Sequence, residues 1–218
     1  HPMDVMRTGC SMLGNLEPEA DFSQQDDAAD RLLAVLPSIM GYWFRYTRFG
    51  ERFDTATDDD TIAGHLLHCI HGKPAPEEHV ACIDTSLILY AEHEFNASTF
   101  AARVCAGTLS DMHSALTGAI GTLRGPLHGG ANEAAMELID RFSSADEAYA
   151  GVKGMLERKE KVMGFGHAVY KVQDPRNAIN KAWSKRLSEG HAKAHMNPVS
   201  ETNERLLADE KGLYANED

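Results

Sequence analysis

No stretch of the 218 residues approaches the run of about 18 consecutive apolar residues that a membrane-spanning helix needs. No basic-then-apolar leader opens the chain, so no secretory signal is expected. The chain begins HPMDVM without an initiator methionine, and the expectation is that residues precede it. Cysteine is sparse: Cys10, Cys69, Cys82 and Cys105, with no C-x-x-C pair among them. Scattered thiols without a framework point to a reducing, cytoplasmic setting in which each cysteine is a small apolar core residue. Positive charge is also short, with 21 Lys and Arg against 33 Asp and Glu and a net charge of −12. Nucleic-acid partners are therefore not expected, because their binding rests on cationic phosphate contacts. An anionic ligand would need a local basic patch against this field. Strict apolar–polar alternation and internal repeats are missing too.

What the chain does have is an apolar period of three to four. Ala29, Leu32, Leu33, Leu36, Ile39, Met40, Trp43 and Phe44 form one stripe, which Pro37 is expected to bend. Asp59 or Asp60 is expected to cap a helix carrying Ile62, Leu66 and Ile70. Further helices are expected near 77–92, 97–107, 111–123 and 131–142. Ser144 should cap the next, and Asp174-Pro175 pairs a cap residue with a proline at the first helical position. A last helix is expected over 198–211. Residues 13–26 and 159–174 read as irregular. With hydrophobic residues at 43%, the chain can bury a sizeable core. The fold class read from this pattern is all-α, with a boundary soon after Gly130.

Three stretches carry candidate chemistry. In RGPLHGGANEA, His128 stands beside Gly129 and Gly130, just before a helix. Glycines let the backbone approach a ligand, and the positive end of a helix favours a neutral imidazole able to donate to a carbonyl oxygen. The competing reading is a capping or buried structural histidine. In KVMGFGHAVYKVQDPRN, Gly164 and Gly166 flank Phe165 and are followed by His167. This is no dinucleotide fingerprint, which would need G-x-G-x-x-G after a strand. A glycine-rich loop exposing backbone N–H groups, with Arg176 at the start of a helix, suits an anionic or amide-rich ligand. The alternative for Arg176 is a surface salt bridge. In YAEHEFNASTF, His93 lies between Glu92 and Glu94 with Asn96 close by. It is either a substrate ligand or a helix-end histidine held by a carboxylate.

Two other signals are weaker. His65, His68 and His71 recur every three residues and drift around a helix, whereas metal ligands on one helix favour i, i+4. No metal site is expected. The run ERKEK at 157–161, with Lys153 and Lys171, reads as a solvated helix end or as a modest basic patch for a phosphate-bearing ligand.

Taken together and in order, GPLHGGANE and GFGHAVYK followed by DPR resemble the two histidine motifs of the citrate synthase family. HPMDVMRTG and YAEHEFNASTF are similar to the bacterial-type branch that takes propionyl-CoA. The resemblance extends over essentially the whole chain. It implies a helical fold with a large and a small domain, here 1–129 and 130–218, and a homodimer. It implies no permanently bound cofactor, a CoA thioester as substrate (propionyl-CoA, or acetyl-CoA as the alternative) and oxaloacetate as partner. By resemblance, His128, His167 and Asp218 are catalytic: His128 holds the thioester carbonyl, His167 protonates the oxaloacetate ketone, and Asp218 is the base. His93 and Arg176 bind oxaloacetate. Lys161, Val162, Met163, Gly164, Phe165 and Gly166 form the loop that contacts coenzyme A. Family members are longer, with a helical segment before HPMD and more helices after the aspartate. The chain is therefore expected to be a fragment.

Overall fold

The computed structural model describes residues 1–92, 95–166 and 174–215. Among them are ten α-helices, one short 3-10 turn and a single isolated β-bridge, so the fold is all-α as expected. The chain divides into two compact units, His1–Arg124 and Gly125–Asp218. The division falls ahead of the glycine-rich turn. The Gly125 carbonyl accepts the N–H groups of both His128 (3.0 Å) and Gly130 (3.1 Å), which ties the turn to the helix that follows it.

In the first unit, α1 (Pro2–Leu16) starts at a proline, with the His1 side chain accepting the Met3 N–H. α2 (Gln25–Phe49) carries Asp26 and Asp27 at its positive end and Arg48 at its negative end, and stops at left-handed Gly50. Pro37 lies inside α2 and is buried. α3 (Ile62–His71), α4 (Glu77–Leu89), α5 (Ala97–Ala106) and α6 (Met112–Leu123) follow. α1 packs on α2 and α6, α2 on α3, α3 on α4, and α5 on α6. The core here is Cys10, Leu13 and Leu32, with Val35, Leu36, Met112, Leu116 and Ile120 against it. Each leucine buried this way contributes roughly 1.5–3 kcal/mol.

Two expectations are corrected. Leu13 to Leu16 belong to α1, and Phe22–Gln24 is a 3-10 turn leading into α2, so most of 13–26 is not loop. Leu13 lies one turn beyond Cys10 on the same buried stripe, and its polar neighbours in sequence hide that pairing. The cap of α3 is Thr61, whose hydroxyl accepts the Gly64 N–H at 2.9 Å. Asp59 instead accepts from His68 Nδ1 at 2.7 Å.

The second unit holds α7 (Gly130–Asp140), α8 (Ala145–Glu157), α9 (Pro175–Ser188) and α10 (Met196–Lys211). α10 packs on the other three. Val152, Leu206 and Leu207 form its core, joined by Phe142, Leu156, Val162 and Phe165. Ser144 caps α8 and Asp174 caps α9, both as expected. Among the described residues no helix is long and apolar enough to cross a membrane.

Candidate functional site

The second unit brings three of the sequence-derived elements onto one framework. His128 is half-buried in the turn that opens α7. Gly129, not His128, is the cap residue, and no side chain caps this end. His128 thus stands just ahead of the positive end of α7, and its carbonyl accepts the Ala131 N–H at 2.8 Å.

The glycine-rich loop leaves α8 through Lys159, which has a positive φ of 59°. Gly164 and Gly166 have φ of 85° and 79°, a region that favours glycine. A Cβ on Gly164 would stand 2.9 Å from Ala135 Cβ, so the loop backbone lies hard against α7. Val162 and Phe165 turn their side chains into the core. Lys161 and Gly166 are exposed, while Met163 and Gly164 are half-buried. The loop was expected to expose its N–H groups, but that of Gly166 donates to the Tyr214 carbonyl at 2.9 Å. Phe165 and Ala215 form an isolated antiparallel bridge. The backbone at 165–166 is thereby fastened to that at 214–215. No sequence pattern marks this contact, because one bridge needs no alternation.

Arg176 is no surface residue. Its side chain is 8% exposed and that of Asp174 fully buried. Asp174 Oδ1 accepts the Arg176 backbone N–H at 2.9 Å and Nε–H at 3.0 Å, while Oδ2 accepts Nη2–H at 2.7 Å. One carboxylate therefore caps α9 and fixes the guanidinium in the plane of its fork. Asn177 is buried next to it and lines a cavity of about 270 Å³ with Glu204, Arg205, Tyr214 and Ala215.

His93, His167 and Asp218 lie outside the described residues, as does Lys171. Asn96 caps α5, accepting the Thr99 N–H at 2.9 Å and the Ser98 hydroxyl at 2.7 Å. Of the basic run, Arg158 pairs with Glu160 at 2.6 Å. Lys153 lies over the Tyr149 ring, 5.7 Å from its centroid. His65 is held between Ser38 and Thr57, each at 2.8 Å. Among the described residues no His, Cys, Asp and Glu cluster could hold a metal ion. His113 on α6 is buried and belongs to none of these motifs. Its only signal is a histidine interrupting the apolar pattern of α6.

Residues 1–218 match the family profile described as citrate synthase, C-terminal domain. The chain belongs to the citrate synthase family. It is 61% identical over 218 residues to a 2-methylcitrate synthase of Shewanella oneidensis, covering all of this chain and 58% of that protein. It is 41% identical to citrate synthase 2 of Bacillus subtilis, again over the whole chain and 59% of the relative. Among solved structures, the citrate synthase of Thermoplasma acidophilum in ternary complex with carboxymethyl coenzyme A and oxaloacetate superposes with a TM-score of 0.87 at 28% identity, covering 99% of this chain and 58% of that one. The citrate synthase of Thermotoga maritima gives 0.80 at 31% identity, covering 99% of this chain and 57% of that one. The chain thus spans under two thirds of the length of the relatives it matches.

Proposed function

We propose that this chain is part of an acyltransferase that condenses propionyl-CoA with oxaloacetate and water to give 2-methylcitrate and CoA. The observation that carries the reading is the 61% identity, across the whole chain, to a protein named 2-methylcitrate synthase. The first unit contributes to a large domain and the second to a small one, in a cytoplasmic homodimer. The four free thiols fit a reducing setting.

The difficult step is loss of a proton from the carbon beside the thioester, which is very weakly acidic. Asp218 takes that proton. His128 donates to the carbonyl oxygen where charge develops, and a donor so placed is worth about 3–4 kcal/mol. Its station ahead of the positive end of α7 favours the neutral, donating imidazole. The enol carbon then forms a bond to the ketone carbon of oxaloacetate, and His167 supplies the proton to the alkoxide. Arg176, held rigid by Asp174, pairs with a substrate carboxylate, and His93 holds the same molecule, so attack is near-intramolecular. Water finally cleaves the thioester and releases CoA. The backbone of Lys161, Val162, Met163, Gly164, Phe165 and Gly166 contacts coenzyme A. Burial of Val162 and Phe165 supports this by stiffening the loop. No permanently bound cofactor is required.

A second reading, condensation of acetyl-CoA to citrate, is favoured by the relative of Bacillus subtilis named citrate/2-methylcitrate synthase, 38% identical over the whole chain. One methylene gives only about 1–3 kcal/mol of discrimination, so both thioesters are expected to react to some degree. Free-thiol release from each, with and without oxaloacetate, tests the proposal. Oxaloacetate-dependent release that favours propionyl-CoA is expected from the full-length gene product. His128→Ala and Asp218→Asn should each lower kcat by at least about 100-fold, with thioester binding retained. Near-normal turnover in either would overturn its assigned role. Arg176→Ala should chiefly raise the KM for oxaloacetate.

A further inference from the structure

Ion pairs join α9 to α10 like the rungs of a ladder. Lys185 Nζ meets Glu201 Oε1 at 2.5 Å, and Lys181 Nζ meets Glu204 Oε2 at 2.6 Å. The two lysines are four residues apart, and one turn further toward the start of α9 the same stripe reaches Asn177. On α10, Glu201, Glu204, Arg205 and Ala208 recur at steps of three and four and share one face. The later lysine pairs with the earlier glutamate, so the two helices run in opposite senses along the ladder. The third rung therefore sets Asn177 toward Arg205 and Ala208. No carboxylate closes it: an amide and a guanidinium border the same gap.

That gap is the cavity of about 270 Å³ beside α9, room for a small organic molecule. Asn177 is 8% exposed, and its side-chain amide has no partner among the described residues. Buried polar groups are nearly always hydrogen-bonded, so an amide left open toward a cavity marks a place for a ligand. The guanidinium of Arg205 and the hydroxyl of Tyr214, both on exposed residues of the lining, also lack a partner among the described residues. All three groups can donate, and a guanidinium takes a carboxylate through two parallel N–H bonds. Glu201 and Glu204 are each answered by a lysine, which leaves Arg205 as the uncompensated charge of the lining. One unanswered positive charge suits one negative charge, whereas a dianion would meet the two glutamates as well. Ala208, Ala215 and the Tyr214 ring supply an apolar wall for a short hydrocarbon tail.

We propose that the cavity between α9 and α10 is a binding site for a small aliphatic monocarboxylate. Its carboxylate completes the third rung, accepting from the Arg205 guanidinium, the Asn177 amide and the Tyr214 hydroxyl. The site lies wholly within the second unit and uses none of the residues assigned to the condensation.

The test is calorimetric titration of the full-length gene product with sodium butyrate, with and without saturating oxaloacetate. Butyramide, the uncharged isostere, sodium succinate, a dianion, and sodium chloride are titrated at equal ionic strength. Butyrate is expected to bind saturably whether or not oxaloacetate is present, succinate more weakly, and butyramide and chloride not at all. Arg205→Gln should weaken butyrate binding by about tenfold or more, the effect of losing a hydrogen bond to a charged group. Arg205 is exposed, so this variant keeps its fold even if Asn177→Ala, which should also weaken binding, does not. Overturning results are no saturable binding of butyrate, equal binding of butyramide or succinate, or unchanged affinity in Arg205→Gln. Butyrate binding that oxaloacetate abolishes and Arg205→Gln leaves intact would put the carboxylate on Arg176 and overturn the proposal while supporting the oxaloacetate site.

Discussion

Asp174 and Arg176 are joined through both main chain and side chain, the carboxylate accepting the Arg176 backbone N–H at 2.9 Å and Nη2–H at 2.7 Å, with both residues buried. Removing one partner of a buried pair strands the other charge, at a cost of about 3–5 kcal/mol. Asp174→Ala should therefore lower unfolding stability by that order, since it also uncaps α9. Lys181 and Glu204 are as close, at 2.6 Å, but part-exposed, and Lys181→Ala should cost at most about 1 kcal/mol. Urea unfolding of the two variants side by side measures the contrast.

Gly164 is constrained twice, by its φ of 85° and by Ala135 Cβ, which would lie 2.9 Å from an added Cβ. Gly164→Ala should cost about 1–3 kcal/mol and lift the loop from α7. On the proposed function it also raises the KM for the thioester. Steady-state kinetics and thermal unfolding read the two effects separately.

Asn203 is 1% exposed on α10, and neither its amide nitrogen nor its amide oxygen has a partner. An apolar side chain of similar volume removes that desolvation cost. Asn203→Leu should raise stability by about 1–3 kcal/mol, visible as a higher urea midpoint. A lower midpoint would mean the amide has work that the geometry does not reveal.

The hydroxyl of Thr57, and then His68, hold the Asp59 carboxyl below the ordinary carboxylate range. A carboxylate lowered on folding contributes stability above its unfolded pKa of about 3.9, and that contribution is lost as pH falls through the lower folded value. Wild type should lose this contribution below about pH 4. Asp59→Asn should be less stable at neutral pH and show a shallower loss on acidification. Unfolding measured from pH 7 down to pH 3 compares the two slopes.

The elements legible in the sequence were those whose signals are local. Ser144 and Asp174-Pro175 announce their helices because a cap acts on N–H groups two or three residues ahead. Gly164 and Gly166 announce a backbone that side chains disfavour. Thr61 was passed over for Asp59 and Asp60, since three potential caps stand together and tertiary contact chooses among them: His68 draws Asp59 away. The burial of Arg176 was not legible either, because it depends on packing within the second unit and not on the dipeptide that starts α9. The burial of His113 is not legible either, because Asp111 two residues before it is so plain a helix start that the histidine reads as part of the first turn. His128 was singled out by its glycines, whose turn the structure ties to α7.

The bridge between Phe165 and Ala215 also sets an order of events during synthesis. A ribosome releases the chain from its N-terminal end, and segments fold as their partners emerge. α1 to α6 can settle against one another while the second unit is still being made. The glycine-rich loop cannot, because its anchor arrives only after α9 and α10 have left the exit tunnel. Until then Val162 and Phe165 lack the Leu206 and Leu207 that shelter them, so the loop is the last part of the second unit to find its packing.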